Sequence, residues 1–284
     1  MEPKAGRIQK TRVGDIPVVW VEPEASRDVR QLVVFLPHLG GTKETVIDAL
    51  YDLAADGLIA VSFDPWQHGE RTRESREELL RRVFSAFRQE MWPILGQTTL
   101  DTLRILDWAT SALRVTPDFR IGGLSMGGDV AVAAAGLDRR VTRVVSVVAT
   151  PDWLRPGMHD LTHADQLIEQ GRTDAYAQFF YDAIDPLTHP TRYHRAMEIS
   201  FLCGERDNHV PADGALRFQQ ALTGSGNGIP RTEVEWIAGL AHLDVRDRSR
   251  WWPQCRQRLV APLVTECAEL RPRARCELQS VPPV

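Results

Sequence analysis

Cysteine is scarce and carries no recognisable pattern. The 284 residues hold four, Cys203, Cys255, Cys267 and Cys276, with no C-x-x-C spacing and no histidine pair at ligand spacing, so neither a disulfide framework nor a zinc site is expected. Long apolar runs are also missing. None reaches the ~18 residues that a membrane span needs, and the polar segment Met1 to Lys10 lacks the apolar core of a secretory signal. Positive charge is not in excess: 34 Lys and Arg against 38 Asp and Glu leave a formal net charge of −4, so no global field draws nucleic acid or an anionic membrane. Arginine clusters occur at Arg71 to Arg82 and Arg246 to Arg258, but acids are interleaved with them and a solvated helix face is the expected reading. These absences point to a cytoplasmic protein with no nucleic-acid or membrane partner.

What is present is ordinary globular composition, 43 % hydrophobic and 25 % charged, in a chain long enough for one large α/β domain. Val13 to Val21 reads as an opening edge strand and Gln31 to Leu36 as a fully buried one. A helix is expected from Thr42, with Val46, Ala49, Leu50 and Leu53 on its inner face, and a strand from Leu58 to Phe63. A charged amphipathic helix from Glu74 to Glu90 should be followed, after Pro93, by another from Gln97 to Leu113 that buries Leu100, Leu103 and Leu106. Further strands are expected at Phe119 to Leu124, Val144 to Ala149, Glu198 to Cys203 and Arg231 to Ile237, with helices at Met126 to Gly136, Pro211 to Leu222 and Ser249 to Val264. Strands alternating with helices predict a mostly parallel sheet covered on both faces. The stretch from about 151 to 195 interrupts that rhythm and is expected to form a short helical cap over the carboxyl edge of the sheet. Residues 1–265 would then be a single domain, with 266–284 a partly disordered tail.

The informative motif is Gly123-Leu124-Ser125-Met126-Gly127, a G-x-S-x-G pentapeptide between a strand and a helix rich in small residues. Such an elbow holds its serine in a strained conformation and tolerates little bulk on either side. A serine hydroxyl becomes nucleophilic only beside a base, and the base needs an acid to fix its tautomer. Asp207, after the strand ending at Cys203, and His242, after the strand ending at Ile237, supply them in the order Ser, Asp, His. Glu205 is the rival acid, expected to sit too early to reach the histidine, and His209 is the rival base, expected on the acid's own loop to line the site or face solvent. His159, His163, His189 and His194 fall in the expected cap, where a structural role is the simpler reading. An anionic acyl-transfer transition state needs N–H donors, expected from Met126 at the helix N-terminus and Leu39 in the loop Pro37 to Thr42.

Leu36-Pro37-His38-Leu39-Gly40-Gly41-Thr42-Lys43-Glu44, Asp64-Pro65-Trp66-Gln67-His68-Gly69-Glu70-Arg71 and Asp185-Pro186-Leu187 before Gly204 to Pro211 together resemble the α/β-hydrolases of the dienelactone hydrolase and prolyl-oligopeptidase-like esterase group. The similarity spans about Val13 to Leu259. It departs from the group where Pro37-His38 stands in place of His-Gly, which stiffens the loop or sets an imidazole beside the acyl group. Asp129 is a smaller oddity, expected to stabilise the helix N-terminus.

The resemblance implies an α/β-hydrolase fold and a serine hydrolase acting on an ester, lactone or related small acyl compound. Ser125 would be the nucleophile, His242 the base and Asp207 its orienting acid, with the Leu39 and Met126 amides as oxyanion hole. His38, Trp66, His68, Trp153 and Tyr181 are the candidate substrate contacts. The scheme calls for no metal or organic cofactor. Acyl transfer, cyclisation or elimination on the same triad, and a non-catalytic binding protein, are the alternatives. A homodimer is left open.

Overall fold

Alternate residues of strand β3 (Leu32–Leu36) divide the core. Val33 and Phe35 point to one face of the sheet, where helix α1 (Ile47–Ala55) and helix α7 (Trp252–Val260) cover them with Leu50, Leu53, Trp252, Cys255 and Leu259. Leu32, Val34 and Leu36 point to the other, against Ile105, Leu106 and Val130 of helices α3 (Phe87–Ala112) and α4 (Met126–Leu137). The side-chain period of two lets one apolar strand serve two cores. The computed structural model describes residues 6–25, 29–163, 165–223 and 229–262. The tail expected at 266–284 therefore lies outside the described residues.

The sheet has eight strands among the described residues, in the order β1-β2-β4-β3-β5-β6-β7-β8. The other strands are β1 (Gln9–Val13), β2 (Ile16–Val21), β4 (Ile59–Phe63), β5 (Phe119–Leu124), β6 (Val141–Val147), β7 (Glu198–Gly204) and β8 (Arg231–Ile237). Pairing is parallel from β4 to β8 and antiparallel on both sides of β2. Because β3, β5, β6, β7 and β8 are parallel, their carboxyl ends open on the same side, where an open α/β sheet places its site. Helix α6 (Asp213–Thr223) packs behind β8. No helix among the described residues is long and apolar enough to cross a membrane.

Several elements differ from expectation. The single opening strand is a hairpin: Gly14 turns the chain with φ of 62°, so β1 is the edge and β2 lies inside the sheet. The expected helix from Glu74 to Glu90 ends earlier. Helix α2 (Arg76–Ser85) starts on a Ser75/Glu78 capping box and stops at Ala86, whose φ of −149° breaks the helix. Helix α3 then runs from Phe87 straight through Pro93, whose missing N–H removes only the bond to the Gln89 carbonyl. Its buried stripe holds Thr98, Thr99 and Thr102 beside Ile105 and Leu106. The hydroxyls of Thr99 and Thr102 donate to the carbonyls of Leu95 and Thr98 at 2.8 and 2.9 Å, so these polar residues sit inside while Leu100 is 39 % exposed. Arg71 also departs from its expected solvated face: it is nearly buried and pairs with Asp101 at 2.5 Å and Asp15 at 2.8 Å.

Among its described residues, the 151–195 segment holds one α-helix, α5 (Ala175–Ile184), a 3-10 turn at Pro190–Tyr193 and an isolated bridge between His159 and Leu167. Helix α5 lies along α3. Tyr181 stacks on Trp92 at 4.5 Å, and Phe180 rests on Gly96, where an added Cβ would meet its ring at 2.1 Å.

Candidate active site

Ser125 stands between the end of β5 and the start of α4 with φ of 49° and ψ of −117°. A non-glycine residue holds such angles only where its surroundings dictate them. They do so here: the Ser125 N–H donates to Val147 O at 2.8 Å, and its carbonyl accepts from Gly128 and Asp129 at 2.8 and 3.1 Å. The flanking glycines are required by space. A Cβ on Gly123 would lie 2.3 Å from the Gly127 carbonyl carbon, and one on Gly127 would lie 2.4 Å from Leu36 O.

His242 opens a 3-10 turn (His242–Arg246) after β8, anchored where the Ala241 N–H donates to Asp244 Oδ2 at 2.9 Å and Arg250 pairs with Asp244 at 2.7 Å. Its Nε2 is 3.0 Å from Ser125 Oγ and its Nδ1 is 2.8 Å from Asp207 Oδ2. A carboxylate can only accept from Nδ1–H, which leaves Nε2 as the acceptor for the serine hydroxyl. The other Asp207 oxygen accepts from the His209 and Val210 amides at 3.0 and 2.8 Å, so the carboxylate is fully directed. The loops bearing acid and histidine are sewn together by Glu205 N–H to Ile237 O (3.1 Å) and Arg206 N–H to Leu240 O (2.9 Å). Glu205, the rival acid, turns away and accepts the Gly239 N–H at 2.7 Å.

The loop after β3 forms a tight turn in which Gly41 N–H donates to His38 O at 2.8 Å and Gly40 takes φ of 75°. Leu39 lies in this turn and lines the same cavity as Ser125, and Met126 directly follows the serine at the start of α4. His38 packs beside them, half-buried, and burial lowers its pKa.

A cavity of about 110 Å³ opens on Ser125 and His242. Its walls come from His38 and Leu39, from Leu80 and Phe84 of α2, Phe87 and Met91 of α3, Leu243 and Val245 after the histidine, and Arg155 and Leu161 of the 151–195 segment. Among the five residues expected to contact substrate, His38 is in the lining. Trp66, His68, Trp153 and Tyr181 are not, and each has a packing role. Trp153 is fully buried: its N–H donates to Asp185 Oδ1 at 2.8 Å and its carbonyl accepts from Trp92 Nε1 at 3.0 Å. Tyr181 is the ring stacked on Trp92, and Trp66 carries the Arg71 guanidinium 4.9 Å over its ring. His68 is buried below the Leu39 turn.

His209, the rival base expected to line the site or face solvent, lines the cavity with its ring 4.7 Å from that of His242. Its Nδ1 bonds to His159 O at 2.8 Å, and burial, with His242 adding to it, pushes its pKa down to about 3. Asp129 does more than stabilise a helix terminus. It is completely buried, accepts the Thr150 N–H at 2.7 Å and forms a short ion pair with Arg155. Burial lifts its carboxyl to about 6, with Arg155 pulling the other way. The pair ties the first turn of α4 to the 151–195 segment, and no sequence spacing announces it. Leu243 and Val245 could have been found from their place just after His242. Among the described residues no group of three or more His, Cys, Asp or Glu side chains could hold a metal ion.

The parallel sheet, the strained serine at its elbow and the hydrogen-bonded histidine and aspartate beyond later strands define an α/β-hydrolase. The same fold is seen in a protein described as a dienelactone hydrolase from Klebsiella pneumoniae (14 % identity, TM-score 0.63, 89 % of this chain on 98 % of that one). It is also seen in TT1662 from Thermus thermophilus (22 %, 0.59, 88 % on 99 %) and in an acylaminoacyl peptidase from Pyrococcus horikoshii (17 %, 0.61, 90 % on 41 %). The chain belongs to the prolyl oligopeptidase family, whose sequence model matches residues 85–253, and is thus a member of a serine hydrolase family. No curated protein sequence matches it.

Proposed function

We propose that the protein cleaves a small carboxylic ester, lactone or related acyl compound through an acyl-enzyme on Ser125. The observation that carries this reading is the continuous Ser125–His242–Asp207 hydrogen-bond chain ending at a small, mainly apolar cavity. Ser125 Oγ attacks the acyl carbon while its proton passes to His242 Nε2. Asp207 holds Nδ1–H and stabilises the imidazolium that results. Negative charge gathers on the carbonyl oxygen and is met by the Leu39 and Met126 N–H groups, the latter at a helix N-terminus. The imidazolium then protonates the leaving group, and water, deprotonated by the same nitrogen, releases the acid.

A small ester or lactone is favoured over a polypeptide by the size of the cavity: with Leu80, Phe84, Phe87 and Met91 among its walls it measures about 110 Å³, room for a short acyl chain. Family membership supports peptide cleavage as the second reading. The two separate in one assay: p-nitrophenyl esters of rising chain length against acylated amino-acid p-nitroanilides. Ester hydrolysis at least a hundredfold faster, peaking at a short or medium acyl chain, is expected. Comparable anilide turnover would favour the peptidase reading.

A further inference from the structure

His68 was expected at the substrate, yet it lies beneath the turn that carries Leu39, 1 % exposed. Its Nε2 accepts the Gly40 N–H at 2.9 Å, and its Nδ1 lies 2.8 Å from the Trp66 carbonyl. A backbone N–H can only donate and a carbonyl only accept, so the ring is the neutral Nδ1–H tautomer. Burial agrees, lowering its pKa to about 4.

The Gly40 N–H belongs to the peptide joining Leu39 to Gly40, the central peptide of the turn closed by Gly41 N–H to His38 O. The carbonyl of that same peptide, Leu39 O, is held 2.8 Å from His38 Nδ1. Two imidazoles therefore grip one peptide from opposite ends, one by its N–H and one by its oxygen. Left to itself, the central peptide of a turn with a left-handed third residue is its loosest part, because opposite peptide orientations give different turn types. A second contact holds the same two loops. Asp64 accepts the Lys43 N–H at 3.0 Å, the Lys43 ammonium at 2.8 Å and the Glu70 N–H at 3.0 Å.

We propose that His68 is a positioning residue for the transition state: with His38 it clamps the Leu39–Gly40 peptide, which keeps the turn closed by Gly41 N–H to His38 O and so holds the His38–Leu39 peptide, whose other end is the Leu39 N–H that meets the developing oxyanion. This rests on the serine hydrolase reading and on Leu39 as a donor. A preorganised donor costs no rearrangement when charge develops, so loosening it lowers kcat and spares ground-state binding.

His68→Asn and His68→Gln separate the two bonds of the ring. The asparagine amide ends near Nδ1 and can still donate to Trp66 O, but it offers Gly40 no acceptor; the glutamine oxygen can reach the place of Nε2. On a p-nitrophenyl ester, His68→Asn should lose about 10- to 100-fold in kcat with KM within about twofold, and His68→Gln should recover most of the loss. A folded His68→Asn with wild-type kcat, or a loss that His68→Gln fails to restore, overturns the proposal. Nitrogen NMR on the unaltered protein decides independently of folding: His68 must carry its proton on Nδ1, and an Nε2–H ring would refute the clamp. Wild-type activity in Ser125→Ala would instead sink the hydrolase reading, with the tautomer still deciding the clamp.

Discussion

Gly127→Ala is the smallest perturbation that reaches the proposed chemistry through the backbone. The new methyl would stand 2.4 Å from Leu36 O and 2.7 Å from both the Leu36 carbonyl carbon and Pro37 O. Ordinary contact begins near 3.4 Å, and every obstructing atom is backbone, so the elbow and the end of β3 must part by about 1 Å. The oxyanion turn leaves directly from that end of β3. The Leu39 donor and the Ser125 hydroxyl would thus be displaced relative to each other, and a misplacement of this size costs on the order of 10² in rate. Overpacking should also cost about 1–3 kcal/mol, seen as a Tm lower by roughly 3–10 °C. Initial rates on a short p-nitrophenyl ester and thermal unfolding followed by circular dichroism measure both. Gly136→Ala is the control: its methyl would lie 2.5 Å from the Tyr193 hydroxyl at the far end of α4, so it should lower Tm and leave kcat alone. A Gly127→Ala protein with kcat within twofold of wild type would refute the placement of elbow against turn.

Removing Arg155 strands a buried carboxylate. Arg155→Met should cost about 3–5 kcal/mol near pH 8 and less near pH 5, because Asp129, already raised to about 6 by burial, can take up a proton instead; an equal cost at both pH values in chemical denaturation would contradict this. His209 behaves in the opposite sense. Its ring stays neutral in the folded chain down to about pH 3, while the unfolded chain protonates it near 6.5. Its stabilising contribution is thus present above about pH 6.5 and declines as pH falls, by up to about 1.4 kcal/mol per pH unit. The stability gap between wild type and the non-titrating His209→Gln should accordingly narrow by roughly 2 kcal/mol from pH 6.5 to pH 5. Asp185, raised to about 7 by burial, runs the other way, so the difference between the two proteins is the readout; a constant gap would refute the neutral buried ring.

The order of elements in the sheet was legible because buried parallel strands such as Leu32–Leu36 and Phe119–Leu124 are continuous apolar runs with helices between them. The serine, acid and base were legible because each sits just past a strand end. Hairpins and helix ends were not: Gly14 and Ala86 break elements by backbone angle within otherwise regular patterns. The inner face of α3 was misread because threonines that bond back to their own helix carbonyls need no solvent. Substrate contacts were the least legible. Aromatic residues such as Trp153 and Tyr181 mark packing as readily as binding, and the cavity walls come from α2 and the start of α3, whose periodicity looks like that of any surface helix. His68 was singled out by resemblance and assigned to the substrate, whereas it contacts the backbone of the neighbouring loop.

The central claim is that Ser125 is the nucleophile, and covalent labelling tests it most directly. Incubation with a p-nitrophenyl phosphonate, followed by proteolysis and mass spectrometry, should place one adduct on the peptide containing Ser125, with ester hydrolysis lost in step. His242→Ala should slow the labelling by about three orders of magnitude. An adduct on another residue, or an enzyme that stays fully active after Ser125 is labelled, would contradict the account.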